Sequence, residues 1–271
     1  MYIYPKFFRI HLMKKTLTIA LSFIVLFSFA QEVEKVNGID KSDISKIGGV
    51  DVGDISKVMG IDFSTDACNG ETSFLYEGLT YSIVAIGSQC WMAENLNVGT
   101  RINGVNEQTN NSTLEKYCYD DLESNCDIYG GLYQWDEMMQ YVTTEGAQGI
   151  CPSGWHIPSD AEWTALTTYL GGESVAGGKM KSTGTIEAVT GLWYDPNAGA
   201  TNESGFTGLP GGYRYYYYGS FDDRGIYGHF WSSTEYSGTH AWDRNLLYYY
   251  AYVGRVYNYK TYGFSVRCIE D

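Results

Sequence analysis

The stretch that decides the fold runs from Cys151 to Leu170 and reads CPSGWHIPSDAEWTALTTYL. Glu162 follows Ser159 at the spacing of a capping box, in which each side chain binds the backbone N–H of the other residue. The apolar residues after it recur at helical spacing, and a glycine pair then ends the pattern. This segment predicts a helix from Ser159 to Leu170 that packs through Trp163 and Leu166 on the last strand of the domain.

Away from that helix the chain consists mainly of short alternating runs, which are typical of strands. The clearest runs, separated by Gly and Asn, are Leu79–Ile86, Asn245–Val253 and Gly263–Ile269. A weaker helical pattern extends from Tyr133 to Tyr141. The composition from residue 63 onward is rich in Gly, Tyr and Trp and poor in Pro. It predicts one domain over residues 63–271, of class α+β with much irregular loop.

The beginning of the sequence has the pattern of a secretory leader. Lys14 and Lys15 precede an apolar run from Leu17 to Phe29, which predicts a signal peptide over residues 1–30. That run is shorter than the roughly 20 residues of a membrane span, and no second long apolar stretch follows. We therefore expect a secreted or envelope protein without membrane insertion after cleavage. Gln31 rather than a cysteine follows the leader, so we do not expect a lipoprotein.

Residues 31–62 nearly repeat themselves every eleven positions. Lys35, Lys46 and Lys57 keep this step, and apolar residues between them keep it as well. Units of this size bury too little apolar surface to be stable alone, so we interpret the segment as a spacer. Eleven is also a helical period, which leaves a coiled coil as the alternative, although repeated glycines oppose a helix.

Charge and cysteines limit the partners and the compartment. Removing residues 1–30 takes away four cations and no acid, so the formal charge changes from −14 to −18. Nucleic acid and anionic membranes are therefore poor partners. An even number of cysteines in an exported chain predicts disulfides rather than a metal site. The six are Cys68, Cys90, Cys118, Cys126, Cys151 and Cys268, and the short step from Cys118 to Cys126 suits a local bridge.

The sequence offers little that would support catalysis or a cofactor. Its four histidines are scattered and form no metal-binding or catalytic set. His156 lies between a tryptophan and the capped helix, where a packed, hydrogen-bonded residue is expected. Asp195-Pro196-Asn197 superficially resembles a calcium-binding loop of lectins, but these residue types are ordinary in a turn. We expect no enzyme activity and no cofactor.

The most informative segment for function is the tyrosine-rich stretch between Tyr213 and Tyr262. Tyrosine combines a large rigid apolar face with a polar tip, which is why adaptable binding surfaces are enriched in it. Strand alternation should turn about half of these rings into the core. The candidate ligand-binding residues are Tyr216, Tyr218, Asp222, Asp223, Tyr249, Tyr257 and Tyr259.

Seven phrases in fixed order carry a family resemblance. They are Ile86–Leu96, Tyr129–Trp135, Cys151–Ser159, Asn202–Phe206, Leu209–Arg214, Phe230–Thr234 and Gly263–Cys268. Together they resemble the Fibrobacter succinogenes major paralogous domain family. The resemblance implies a fold similar to C-type lectins, with a terminal strand that returns to the start, and it implies no known reaction.

The resemblance also implies that Cys151 pairs with Cys268, which leaves Cys68 for Cys90. Runs of Tyr, Asn, Asp and Ser between fixed phrases are similar to the variable proteins of diversity-generating retroelements, which use the same frame. Three functional classes follow as expectations: a glycan binder, a protein-binding adhesion module, and a structural envelope protein without a ligand.

Overall fold

The computed structural model describes residues 66–271 and, before them, the backbone of four short strands. β1 (Lys35–Val36) pairs antiparallel with β2 (Ile39–Asp40), and β3 (Lys46–Ile47) pairs in the same way with β4 (Val50–Asp51). The second pair repeats the first at the eleven-residue step and in the same register. These eight residues are strand, so the coiled-coil alternative is wrong for them. The predicted signal peptide and the rest of the spacer lie outside the described residues.

Asp66–Asp271 forms one compact unit that combines strands with a few helices. The α+β class is therefore confirmed. Its strands are β5 (Ser73–Tyr76), β6 (Leu79–Ile86), β7 (Gln89–Met92), β8 (Thr100–Arg101), β9 (Glu115–Lys116), β10 (Trp155–His156), β11 (Tyr213–Arg214), β12 (Phe221–Asp222), β13 (Tyr227–Ser237), β14 (His240–Leu247), β15 (Val253–Tyr259) and β16 (Ile269–Glu270). Its helices are a 3-10 turn (Tyr119–Asp121), α1 (Glu123–Tyr129), α2 (Trp135–Met138), α3 (Asp160–Tyr169) and α4 (Glu173–Met180).

Two antiparallel sheets organise the unit. One has five strands in the order β10-β16-β7-β6-β5, and the other has three in the order β13-β14-β15. The last strand of the chain, β16, lies between β10 and β7. The terminal segment therefore returns to the beginning of the domain, as the family resemblance implied.

The strands β7 and β13 are buried on both faces over most of their length, so that neighbouring residues enter two different hydrophobic clusters. Trp91 and Ile269 belong to one cluster, whereas the adjacent Met92 and Cys268 belong to the other. Phe230 and Trp231 divide in the same way along β13. Successive side chains of a strand point to opposite faces, which explains this division. The two clusters are thus the two sides of shared strands within one compact unit.

Helix α3 forms as its sequence predicts. Ser159 is the N-cap, and both hydrogen bonds of the capping box with Glu162 are present. The Trp163 ring lies 4.8 Å from the ring of Trp91 and 5.9 Å from that of Phe230, in the cluster that also holds Leu166 and Ile269. Trp163 and Leu166 are therefore the buried apolar residues of the helix, as predicted, but the rings that Trp163 contacts are those of Trp91 in β7, Phe230 in β13 and Phe206, rather than residues of the last strand.

All three disulfides are those expected. Cys68 is bonded to Cys90, Cys118 to Cys126, and Cys151 to Cys268, with sequence separations of 22, 8 and 117. The three closed loops follow one another along the chain without overlapping. The longest bridge ties the segment before α3 to the segment before β16.

Buried cations hold several loops through backbone carbonyls. Arg267, which is fully buried, donates to the carbonyls of Met92, Phe206 and Thr207. Lys181 is also fully buried, and its Nζ donates to three carbonyls, those of Ala198, Leu247 and Tyr250, at 2.8–3.0 Å. Burial lowers the pKa of Lys181 to about 8.

Some of the predicted elements differ from those observed. Leu79–Ile86 is a strand with the predicted bounds, but Asn245–Val253 is wrong as a single strand. It contains the end of β14, a turn, and the first residue of β15. The Lys181 ammonium donates to the carbonyls of Leu247 and Tyr250 and so stabilises this turn. The helical pattern of residues 133–141 forms only the single turn α2.

The closing segment Gly263–Ile269 also differs from the uniform strand that was predicted. It makes isolated bridges to Arg214, Tyr133 and Phe230 in turn, and only its last residue belongs to β16. Its residues therefore join several parts of the domain rather than one neighbouring strand.

Candidate binding surface

One face of the three-stranded sheet is only half covered. Along β14, His240 and Trp242 point to this face, whereas Ala241 and Asp243 are fully buried on the other. On β15, Tyr259 lies opposite His240, and Tyr257 lies opposite Trp242. Strand alternation thus brings four rings to the same face at one end of the sheet.

Helix α3 covers the other end of this face. Asp160, in its first turn, accepts hydrogen bonds from Arg244 at 2.6 Å and from Arg255 at 2.8 Å. Burial by itself raises the pKa of Asp160, but the hydrogen bonds and charges of Arg255 and Arg244 lower it below the usual value. The carboxylate therefore stays ionised, and the ion pairs mark where the covered part of the face ends.

The uncovered part is occupied by rings in contact. Tyr236 stacks on Tyr257 with centroids 3.9 Å apart and planes 7° from parallel. Trp242 meets both rings nearly at right angles, and the Arg255 guanidinium lies 3.6 Å from its ring centroid. Because Arg255 is also bonded to Asp160, the indole is held in place from below by a cation–π contact.

A turn of four consecutive tyrosines extends this surface. Tyr216 stacks on Tyr259 at 4.8 Å, and Tyr217 and Tyr218 follow it in edge contact at 4.7 Å from each other. The turn is fixed because Gly219 lies against the backbone of Gly104. A Cβ on Gly219, which has φ +67°, would meet the Gly104 carbonyl oxygen at 2.0 Å. Only glycine therefore permits this close approach.

We call this continuous surface the aromatic ridge. Its rings belong to Tyr216, Tyr217, Tyr218, Tyr236, His240, Trp242, Tyr257 and Tyr259. Five of them are strongly exposed, with 44 to 71% of the residue surface accessible. Such exposure is uncommon for large rings on a monomeric domain and is typical of interaction surfaces.

Four of the seven residues predicted from the sequence lie in the ridge: Tyr216, Tyr218, Tyr257 and Tyr259. Asp222 and Asp223 do not belong to the ridge: Asp222, in β12, pairs with Tyr213, and the Asp223 carbonyl accepts from the N–H groups of Ile226 and Tyr227, where β13 begins. Asp222 is exposed, whereas Asp223 is half-buried, and that burial raises its pKa.

Tyr249 does not belong to the ridge. It lies between β14 and β15 at the end of the sheet opposite Tyr259, and its ring contacts Tyr248 and Tyr250. The Lys181 ammonium donates to two carbonyls of this turn. The structure thus separates Tyr249 from the four predicted tyrosines of the ridge by the length of the strands.

Sequence reasoning missed Tyr236, His240 and Trp242. The alternation of His240 and Trp242 was a usable signal, but the predicted strand began only at Asn245 and left both residues outside it. Tyr236 carries no such signal of its own, since its place in the ridge depends on the pairing of β13 with β14.

Residues 84–270 match the family described as Fibrobacter succinogenes major domain. The chain belongs to this family. No curated protein and no solved structure matches the chain. The whole aromatic ridge lies inside the matched span, so it is part of the major domain. β5 and Cys68 precede that span, yet β5 pairs with β6 and Cys68 is bonded to Cys90.

Two histidines of this major domain, His156 and His229, contact carboxylates, whereas His240 contacts the hydroxyls of Ser237 and Thr239. His156 contacts Glu162 at 2.9 Å and Asp271 at 2.7 Å, and the hydrogen bond that it donates to Glu162 is the main cause of its raised pKa. His229 contacts the buried Asp243 at 3.0 Å. Within residues 66–271, no serine, threonine or cysteine side chain is hydrogen-bonded to either histidine. His156 is therefore a packed, hydrogen-bonded residue, as expected.

Four other features of the described residues bear on whether the domain has a metal site, a membrane span or a second binding site. Asp195-Pro196-Asn197 is a turn, in which the Asn197 N–H donates to the Tyr194 carbonyl. Over the described part of the chain, no group of three or more His, Cys, Asp or Glu is placed to hold a metal ion. None of the helices described there is long and apolar enough to cross a membrane. A cleft of about 300 Å³ beside Tyr169 is lined in part by Lys179 and Glu203, which are paired with each other at 2.9 Å.

Proposed function

We propose that this major domain is an exported, non-enzymatic binding module that recognises a glycan or protein ligand through the aromatic ridge. One observation carries the proposal: eight rings, each in contact with at least one other, form a continuous surface with five strongly exposed members on a frame closed by three disulfides. Disulfides of this number are typical of oxidising compartments, which supports export. The frame we propose is lectin-like, since β16 returns between β10 and β7.

The construction of the ridge supports binding because its side chains are already ordered. Tyr236 and Tyr257 fix each other by stacking, Arg255 holds Trp242, and the Gly219 contact holds the tyrosine turn. A ligand would therefore lose little affinity to the ordering of side chains. Tyrosine adds to this advantage because it has few rotatable bonds for its contact area.

A matched pair of variants tests the proposal. Tyr257→Ala removes a central ring of the ridge, whereas Tyr249→Ala removes a comparably exposed ring outside it. Binding is measured on a glycan array and against envelope extracts, with melting temperature as the control for folding. We expect Tyr257→Ala to lower binding and Tyr249→Ala to leave it unchanged. Equal losses for the two variants, or no binding by the wild-type protein on either test, would contradict the proposal.

A further inference from the structure

The chemistry of the ridge narrows the ligand class, an inference that rests on the proposed function. We infer that the ridge binds an uncharged, linear glycan lying along the row of rings, without a calcium ion.

The cations that border the ridge are already paired. Arg255 is bound to Asp160, and Lys260 is bound to Glu235 while its Nζ lies 4.0 Å from the Trp135 ring centroid. A polyanionic ligand would have to break these pairs, and it would approach a chain of formal charge −14. Acidic polysaccharides are therefore disfavoured.

The rings themselves offer apolar faces with polar tips. The ridge contains six tyrosines, one tryptophan and one histidine, and the His240 ring nitrogen contacts the Thr239 hydroxyl at 2.9 Å. A sugar ring has the complementary pattern, with C–H groups on its faces and hydroxyls at its edge. Tyrosine faces can stack on those C–H groups while the phenol hydroxyls donate to and accept from the sugar hydroxyls.

The rings form a row. From the stacked pair Tyr236 and Tyr257, the contacts lead to His240 at 5.8 Å and from there to Tyr259 at 4.2 Å. They continue through Tyr216 at 4.8 Å to the turn that ends with Tyr218. A row of this kind contacts successive sugars of a chain, whereas a single sugar would contact one or two rings. Affinity should therefore rise with the length of the glycan until the row is filled.

Carboxylates are not collected at the ridge. Glu235 is bound to Lys260, and Asp160 is bound to two arginines. Calcium requires several oxygen ligands, including carboxylates that are free to bind it. Binding should therefore persist in EDTA.

The test uses the full mature chain with its disulfides intact and neutral linear glucan and mannan oligosaccharides, from the disaccharide to the hexasaccharide, in EDTA. Polygalacturonate serves as the acidic comparator, and binding is measured by titration calorimetry. We expect affinity for a neutral series to rise with length. Tyr257→Ala should lower the affinity for the hexasaccharide about tenfold or more, and a tenfold change is equivalent to about 1.4 kcal/mol. Tyr218→Ala, at the end of the row, should lower the affinity for the hexasaccharide but not the affinity for the disaccharide.

Two controls separate stacking from folding. Tyr257→Phe keeps the ring face and should retain most of the affinity, and Tyr249→Ala should retain all of it. Preference for polygalacturonate, loss of binding in EDTA, or ridge-dependent binding of a protein alone would overturn the glycan inference while leaving the proposed function intact. If no ligand of either class binds in a way that depends on Tyr257, both the inference and the proposed function fail.

Discussion

The disulfides allow a quantitative prediction, because the three closed loops differ in length and do not overlap. Removing a bridge restores the conformational entropy of its loop to the unfolded chain, and this entropy grows with the logarithm of loop length. The separations of 117, 22 and 8 residues correspond to losses of about 5, 3.4 and 2.5 kcal/mol in the free energy of unfolding. The bridge between Cys151 and Cys268 should therefore contribute most.

The comparison is well controlled because all six cysteines are almost completely buried. Each bridge is removed as a pair of Cys→Ala substitutions, so that the cavity left behind is similar in the three variants. Urea unfolding at equilibrium, followed by tryptophan fluorescence, gives the free energy of unfolding by linear extrapolation. We expect the loss to fall in the order of loop length. If removing Cys118–Cys126 costs as much as removing Cys151–Cys268, loop entropy is not the main source of the stabilisation.

Three further predictions concern single residues. Lys181 has a folded pKa of about 8 against the usual 10.5, so the unfolded chain binds more protons between these values, and stability should rise with pH across this window. In urea unfolding, Lys181→Met should lack this rise; a variant that keeps it would place its origin elsewhere. The pKa of His156 is raised above its usual 6.5, mainly by Glu162, so its contribution should be complete below 6.5 and lost as pH rises through the folded value. The difference in unfolding free energy between wild type and His156→Gln should therefore shrink as pH rises through the folded pKa, and a difference that is constant with pH would refute the argument. Ser159→Ala removes the N-cap of α3 and should cost about 1 kcal/mol in thermal unfolding, whereas the exposed Ser153→Ala should cost almost nothing.

Much of the frame could be predicted from short-range patterns. The capping box at Ser159 and the helical spacing of Trp163 and Leu166 are local signals, and the helix formed where they placed it. β6 likewise formed over Leu79–Ile86, since its sequence alternates within a single strand. The pairing of Cys118 with Cys126 needed only their spacing, whereas the other two pairings came from the family resemblance.

The candidate site was predicted only in part, because its composition is local but its assembly is not. The density of tyrosine marked Tyr216, Tyr218, Tyr257 and Tyr259 as candidates, and all four lie in the ridge. It marked Tyr249 equally well, although this residue lies at the other end of the sheet. Composition gives no information on which end of a strand a residue occupies.

The sequence by itself determined the class, the helix and the supply of tyrosine, because each depends on residues that are near one another in the chain. Only the tertiary structure decided which rings meet. Tyr216 reaches Tyr259 because Gly219 lies against Gly104, and Tyr236 reaches Tyr257 because both β13 and β15 pair with β14. These contacts join distant segments through backbone approach and strand register, which are set by the packing of the whole domain rather than by any local pattern.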